Sequence, residues 1–195
     1  MTSTLQPTAQ RVRVGRVEQR RTVPPDLAQV FLGVYRGAFT PLERLSPTRQ
    51  ALSDDEFLAA MNDESVVKFV GWDRGDEPCA MAVMATDLSV VPWISVPYYV
   101  ARFPDHHRRG AIYYFQAMLV RAQSQGGPWA RLMLEEIAAV LARDRAVAAF
   151  DCCSYTVEVA RLHEMFARVA GRVCDLDPIE LDRQHYYGYV FEEKT

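Results

Sequence analysis

The stretch AIYYFQAMLVRAQSQGGPWARLML, residues 111–134, decides the fold. Its first part, Ala111 to Arg121, is dense in aromatic and aliphatic residues and reads as one long strand. The polar string QSQGG then stops that strand, and Pro128 opens a helix with Leu132, Leu134, Ile137, Val140 and Leu141 at helical spacing. Arg143 and Arg145 suit the negative end of its dipole. A strand that runs through Gln125, Gly126 and Gly127 into a helix N-terminus gathers free backbone N–H groups and a positive dipole end at one point, which is an anion site. A glycine pair before a helix also serves as a plain turn, so spacing alone leaves both readings open.

Downstream, Ala146 to Cys152 reads as a second buried strand, Val157 to Ala170 as an amphipathic helix ending at Gly171, and Tyr186 to Phe191 (YYGYVF) as a terminal strand. Upstream, Val66 to Trp72 and Cys79 to Thr86 flank the turn string DRGDEP and form an antiparallel hairpin. Pro24, Pro25 and Asp26 open a helix carrying Leu27, Val30, Phe31, Val34 and Phe39, which Pro41 ends. Ser53 and Glu56 in SDDE make a capping box for a second helix with Phe57, Leu58 and Met61. The earliest patterned segment, RVRVGRV at 11–17, alternates Arg and Val like a half-buried strand: Val12 and Val14 fall on one face, Arg11 and Arg13 on the other. Leu88 to Gly110, with Pro92, Pro97 and Pro104, is an insertion that crosses over the next strand. The order is strand, two helices, three strands, helix, strand, helix, strand. It predicts a mixed α/β (α+β) domain with helices flanking one sheet.

The 195 residues, 49% hydrophobic and 24% charged, make one domain with a core of its own and exclude a disordered or collagen-like chain. Residues 1–10 are expected to be a flexible tail. A net charge of −3 neither recruits nor repels nucleic acid strongly, so no nucleic-acid partner is expected. The longest apolar run is broken by Pro92 and Pro97, and Met1 to Gln10 lack an apolar signal core, so neither a membrane span nor secretion is expected. Cys152 and Cys153 are adjacent while Cys79 and Cys174 stand apart, which suits reduced thiols in the cytoplasm. His106, His107, Cys152 and Cys153 match no zinc spacing, so no metal is expected.

Together with the element order, VRAQSQGGPWARLML (120–134) resembles the acyl-CoA-binding motif of the Gcn5-related N-acetyltransferase (GNAT) superfamily. Gln125 matches the leading Gln/Arg of that motif and Gly126 its first glycine; Gly127 takes the free position and Ala130 the closing small residue, before an apolar helix start at Leu132 to Leu134. Pro128 stands where the family has its central glycine, and without an N–H it removes one donor to the pyrophosphate. The resemblance implies a mostly antiparallel mixed sheet over about residues 11–191, with the insertion 88–110 outside it. It implies CoA phosphates at Gln125, Gly126, Gly127, Trp129 and Ala130. It also implies that the strand before the loop splays from its neighbour, so that Leu119, Val120 and Arg121 hold the pantetheine arm and one amide polarises the acyl carbonyl.

The family commonly supplies a tyrosine on the helix after the fifth strand as proton donor to the leaving thiolate. That helix here, EVARLHEMFARVAG, has none, and either His163 or Phe166 occupies the position depending on register. The catalytic candidates are therefore His163 and Tyr155 as acid, with His106 or His107, beside Asp105, as base. Trp93, Tyr98 and Tyr99 are candidate walls for an acceptor, unless the insertion only covers a sheet edge or makes a homodimer contact. The expected function is direct transfer of an acyl group, acetyl first, from acyl-CoA to a small-molecule amine. The alternative is a GNAT-fold module that binds acyl-CoA or another ligand without turnover.

Overall fold

Five strands form one sheet in the order β1-β2-β3-β4-β5. The computed structural model describes residues 15–49 and 51–193. β1 (Arg16–Arg20), β2 (Val66–Trp72), β3 (Pro78–Ala85) and β4 (Ile112–Val120) are successively antiparallel, and β5 (Val147–Ala149) lies parallel to β4. The expected hairpin is β2–β3, closed by Asp73, whose Oδ1 accepts from the N–H groups of Gly75 and Glu77. The early strand begins at Arg16, and Arg11, Val12, Arg13 and Val14 lie outside the described residues, as do residues 1–10.

Helices cover both faces. On one side α1 (Pro25–Phe39) buries Leu27, Phe31, Leu32 and Tyr35, and α2 (Asp54–Asn62) buries Phe57 and Met61. The expected capping box is present: Ser53 accepts from the Glu56 N–H, and Glu56 accepts from the Ser53 N–H at 2.7 Å. On the other side α5 (Trp129–Asp144) sets Trp129, Met133, Ile137 and Leu141, four residues apart, against Phe69, Ala80, Ala82 and Phe115. Gly71 on β2 allows that approach, because a Cβ there would meet the Trp129 ring at 2.8 Å and the Met133 methyl at 2.9 Å. The position of the α5 N-terminus is thus fixed by an indole lying over a glycine.

The insertion 88–110 folds into a short 3-10 turn at Leu88–Val90 and two helices, α3 (Val96–Arg102) and α4 (Pro104–Arg108). Two sequence expectations change beyond β5. The helix read over 157–170 is two, α6 (Ser154–Glu158) and α7 (Leu162–Ala170), because Arg161 takes a left-handed φ of 50° between them. Tyr186 to Phe191 forms no strand: it pairs with nothing in the sheet and stands exposed. β propensity names a residue that fits a pleated surface, and this segment has no such surface beside it. Among the described residues no helix is long and apolar enough to cross a membrane.

Candidate active site

β4 pairs with β3 from Tyr114 to Val120 and on its other edge for only three residues. Ile112, Tyr113 and Tyr114 pair with Val147, Ala148 and Ala149, and there β5 ends. From Phe115 to Val120 the β5-side edge has no strand beside it among the described residues. The Arg121 N–H donates to the Cys79 carbonyl at 3.0 Å, so by antiparallel alternation Leu119 also faces β3, while the backbone groups of Met118 and Val120 face the open edge. Of the three residues expected to line that edge, Val120 turns its backbone groups to it, with the carbonyl approached by the Gln125 side-chain amide at 3.5 Å. Leu119 is buried in the core and directed to β3, and the Arg121 guanidinium donates to the Pro78 carbonyl at 2.9 Å. Met118 is the residue that sequence reading passed over, since it gives no sign of which strand edge is paired.

The open edge leads into the glycine loop. The Gly127 N–H is turned back to the Ser124 carbonyl at 3.3 Å, and the Gln125 side chain lies 3.5 Å from the Val120 carbonyl. Gly126 has a φ of +74°, and a Cβ built on it would meet nothing within 4 Å, so its outer side is open space. Pro128 is the residue before the helix, and the first helical bond runs from the Leu132 N–H to the Pro128 carbonyl. The N–H groups of Trp129, Ala130 and Arg131 therefore precede the intrahelical ladder. The Trp129 ring is buried in the core and contributes only its backbone here. The loop at Gly126 and the first N–H groups of α5 thus lie together at the end of the open edge.

At the fork between β4 and β5, the buried Tyr114 hydroxyl donates to the Asp151 carboxylate, and the rings of Trp93 and Tyr99 meet Tyr114 edge-on at 6.3 and 6.4 Å. Burial first, and Asp151 second, push the Tyr114 phenol above its ordinary range. Burial likewise raises the Cys152 thiol to about 11, which leaves it a thiol and no nucleophile at neutral pH. Tyr155 lies in α6, just past the end of β5, and is exposed.

The other candidates fall elsewhere. His163 is exposed on α7, whereas Phe166 packs against Phe150 at 5.6 Å and Phe115 at 6.3 Å in the core. His106 and His107 lie in α4 at the closed end of β4, where the Ala111 carbonyl accepts from the Val147 N–H. Ile112, where β4 begins, is itself about 10 Å along the strand from the opening at Phe115. Asp105 pairs with Arg108 at 2.5 Å, and the His106 ring rests on Phe103.

Sequence reading also missed Gln116. The β3–β4 register shifts between Val83 and Met84, which face Ala117 and Phe115, so Gln116 is an extra residue in a bulge. The bulge turns Gln116 to the α2 side, next to Ala117, where it borders a cleft of about 200 Å³. Its one outward sign was a lone amide inside an otherwise apolar strand.

No family model and no curated protein matches the chain. Solved structures do. A "possible acetyltransferase" from Clostridium difficile is 12% identical with a TM-score of 0.51, covering 87% of this chain and 99% of that one. An acetyltransferase of the GNAT family from Listeria monocytogenes is 13% identical with a TM-score of 0.50, over 78% of this chain and 84% of that one. The BH1408 protein of Bacillus halodurans, in a mutant form, is 16% identical with a TM-score of 0.50, over 87% and 100%. The mixed, mostly antiparallel sheet flanked by helices is the fold of GNAT acetyltransferases.

Proposed function

We propose that the chain is an acyl-CoA-dependent N-acyltransferase that moves an acyl group, acetyl first, to an amine of a small molecule. The observation that carries this reading is the continuity of the half-open β4 edge with the free N-terminus of α5. A long ligand with an anionic end and an amide-bearing arm matches that combination. Acyl-CoA, when bound, supplies a thioester. The N–H groups of Gly126, Trp129 and Ala130 would hold its phosphates, and the backbone of Met118 and Val120 its pantetheine amides and acyl carbonyl. A donor on the carbonyl favours attack by a neutral amine, a contribution of a few kcal/mol. Tyr155, in α6 after the end of β5, would protonate the departing thiolate.

Calorimetry with CoA tests this. Gly126→Val is expected to weaken CoA at least tenfold, about 1.4 kcal/mol. Gly110 is the control, because it too has a positive φ, of 62°, with open space where a Cβ would go, and it sits at the other end of β4. Gly110→Val carries the same backbone strain and should leave CoA affinity alone. Unchanged affinity in a folded Gly126→Val protein overturns the assignment.

The second reading, a module that binds acyl-CoA without turnover, is favoured by Pro128, which has no N–H to donate, and by α7, which has no tyrosine. Tight acetyl-CoA binding with no thiol release in the presence of amines would select it.

A further inference from the structure

The cleft of about 200 Å³ on the α2 side of the sheet is lined by none of the residues proposed to hold the acyl donor. Its apolar walls are Leu52, Ala59, Ala60, Val66, Val90 and Pro92, with Trp93 at the mouth. Three polar residues also line it: Glu56, Asp63 and Gln116. The Gln116 Oε1 is fully buried and accepts from no described residue. A buried amide oxygen without a donor is destabilising, so the bulge that puts it there works against stability unless something donates to it.

Both carboxylates are ionised at neutral pH. The Arg49 guanidinium, then the Ser53 amide, hold Glu56 down at about 2. Ser65 lowers Asp63 by donating its hydroxyl and N–H to Oδ1 at 2.5 and 2.8 Å, which leaves Oδ2 without a partner among the described residues. The cleft therefore offers acceptors to a ligand that donates. Trp93 adds an exposed aromatic face, which attracts a cation. About 200 Å³ is smaller than the roughly 300–1,000 Å³ of pockets for drug-sized ligands, so the occupant is small.

The place of the cleft fits a second substrate. Gln116 borders it two residues before Met118, whose backbone faces the open edge, so cleft and edge meet on one strand from opposite sides of the bulge. We infer that this cleft binds the acyl acceptor, a small primary amine carried on an apolar or aromatic body, with its ammonium donating to Gln116 and Asp63. This rests on the reading of the chain as an N-acyltransferase, but it can be tested without the acyl donor.

The probe is 2-phenylethylamine, with phenylacetate as the anionic control of like shape. Both are titrated into the full chain in the absence of CoA and followed by amide chemical shifts. Phenylethylamine should move the signals of Leu52, Ala60, Val90 and Gln116, and phenylacetate should not. Gln116→Leu should weaken the amine at least tenfold, and Ala60→Phe, which fills the cleft, should abolish binding, with CoA affinity within twofold of the parent in both. Should Ala60→Phe fail to fold, the wild-type shift map and Gln116→Leu decide alone. Shifts mapping elsewhere, equal binding of phenylacetate, or full amine affinity in Gln116→Leu would overturn the inference. An amine that binds here to a chain that takes no CoA would sink the transferase reading and leave the cleft as an amine site.

Discussion

The two ends of the sheet are built by different means. From β1 to β4 each strand is antiparallel to a neighbour, and the central ones are covered on both faces, so Val66–Val70 and Cys79–Ala85 are buried almost without a break. Beyond β4 the sheet ends in a three-residue parallel strand, and the last stretch, 175–193, holds no helix or strand at all. The first region is stabilised by burial. The second leaves backbone unpaired, and the proposed chemistry lies at the seam between them, where β4 outlasts β5. A site that must hold a ligand's backbone-like amides needs strand edge left open, which a fully paired sheet does not provide.

This contrast makes Trp129→Ala the most damaging single change. Its ring is fully buried over Gly71 of the sheet, and removing such a side chain costs roughly 3–5 kcal/mol. Urea unfolding should show a loss in that range, together with weaker CoA binding, since the same ring sets the height of the α5 N-terminus over the sheet. A loss under about 1 kcal/mol would mean that α5 does not depend on the antiparallel half for its position.

The next effect is in pH. Lys68 lies mid-strand in β2, fully buried, with Nζ donating to the carbonyls of Arg21 and Asp63 at 2.7 and 2.8 Å. Burial, opposed by Asp63 and reinforced by Arg21, lowers its ammonium from 10.5 to about 8. Below about pH 8 the folded chain carries that charge at full cost. Between about 8 and 10.5 the unfolded chain keeps a proton that the folded one has released, so this residue's contribution to stability improves as pH rises through the window. Comparing unfolding free energies at pH 7.5 and 10, the wild type should gain up to roughly 3 kcal/mol relative to Lys68→Met. A pH dependence shared by both proteins would show that Lys68 stays charged in the fold.

How far each region could be read from sequence follows the same division. α1, α2, the hairpin and α5 were legible because their signals are local: Pro25 at a first turn, Ser53 and Glu56 as a capping box, and Trp129 to Leu141 in helical period. The glycine loop was legible too, through Gly126 and the apolar helix after it. The bulge at Gln116 was not, because an extra residue is defined by its partner strand and not by its own neighbours. Nor were the closed-end placement of His106 and His107, or the facing of Met118 rather than Leu119 to the open edge, since both follow from the pairing of β4 with its neighbours. YYGYVF misled for the same reason: its residues have strand propensity, but propensity does not name a partner.

The smallest expected effect comes from that segment. Tyr187 is 80% exposed, Tyr189 79%, Val190 91% and Phe191 92%, so their removal uncovers almost no core. Truncation after His185 should change stability by no more than about 0.5 kcal/mol, the range of surface changes, or roughly 1–2 °C in Tm for a chain this long. Leu181, whose carbonyl accepts from the Tyr98 hydroxyl at 2.9 Å, stays in place and keeps the segment before it tied to α3. The opposite result would redraw the comparison. β5 pairs with β4 on one side only, and a segment rich in tyrosine, valine and phenylalanine is suited to add to such an edge. If truncation cost more than about 1 kcal/mol at every protein concentration, the segment would be pairing with its own β5. If the loss grew with concentration and light scattering showed a dimer turned to monomer, it would be pairing with β5 of a second copy. With stability and mass both unchanged, the parallel end of the sheet ends at β5.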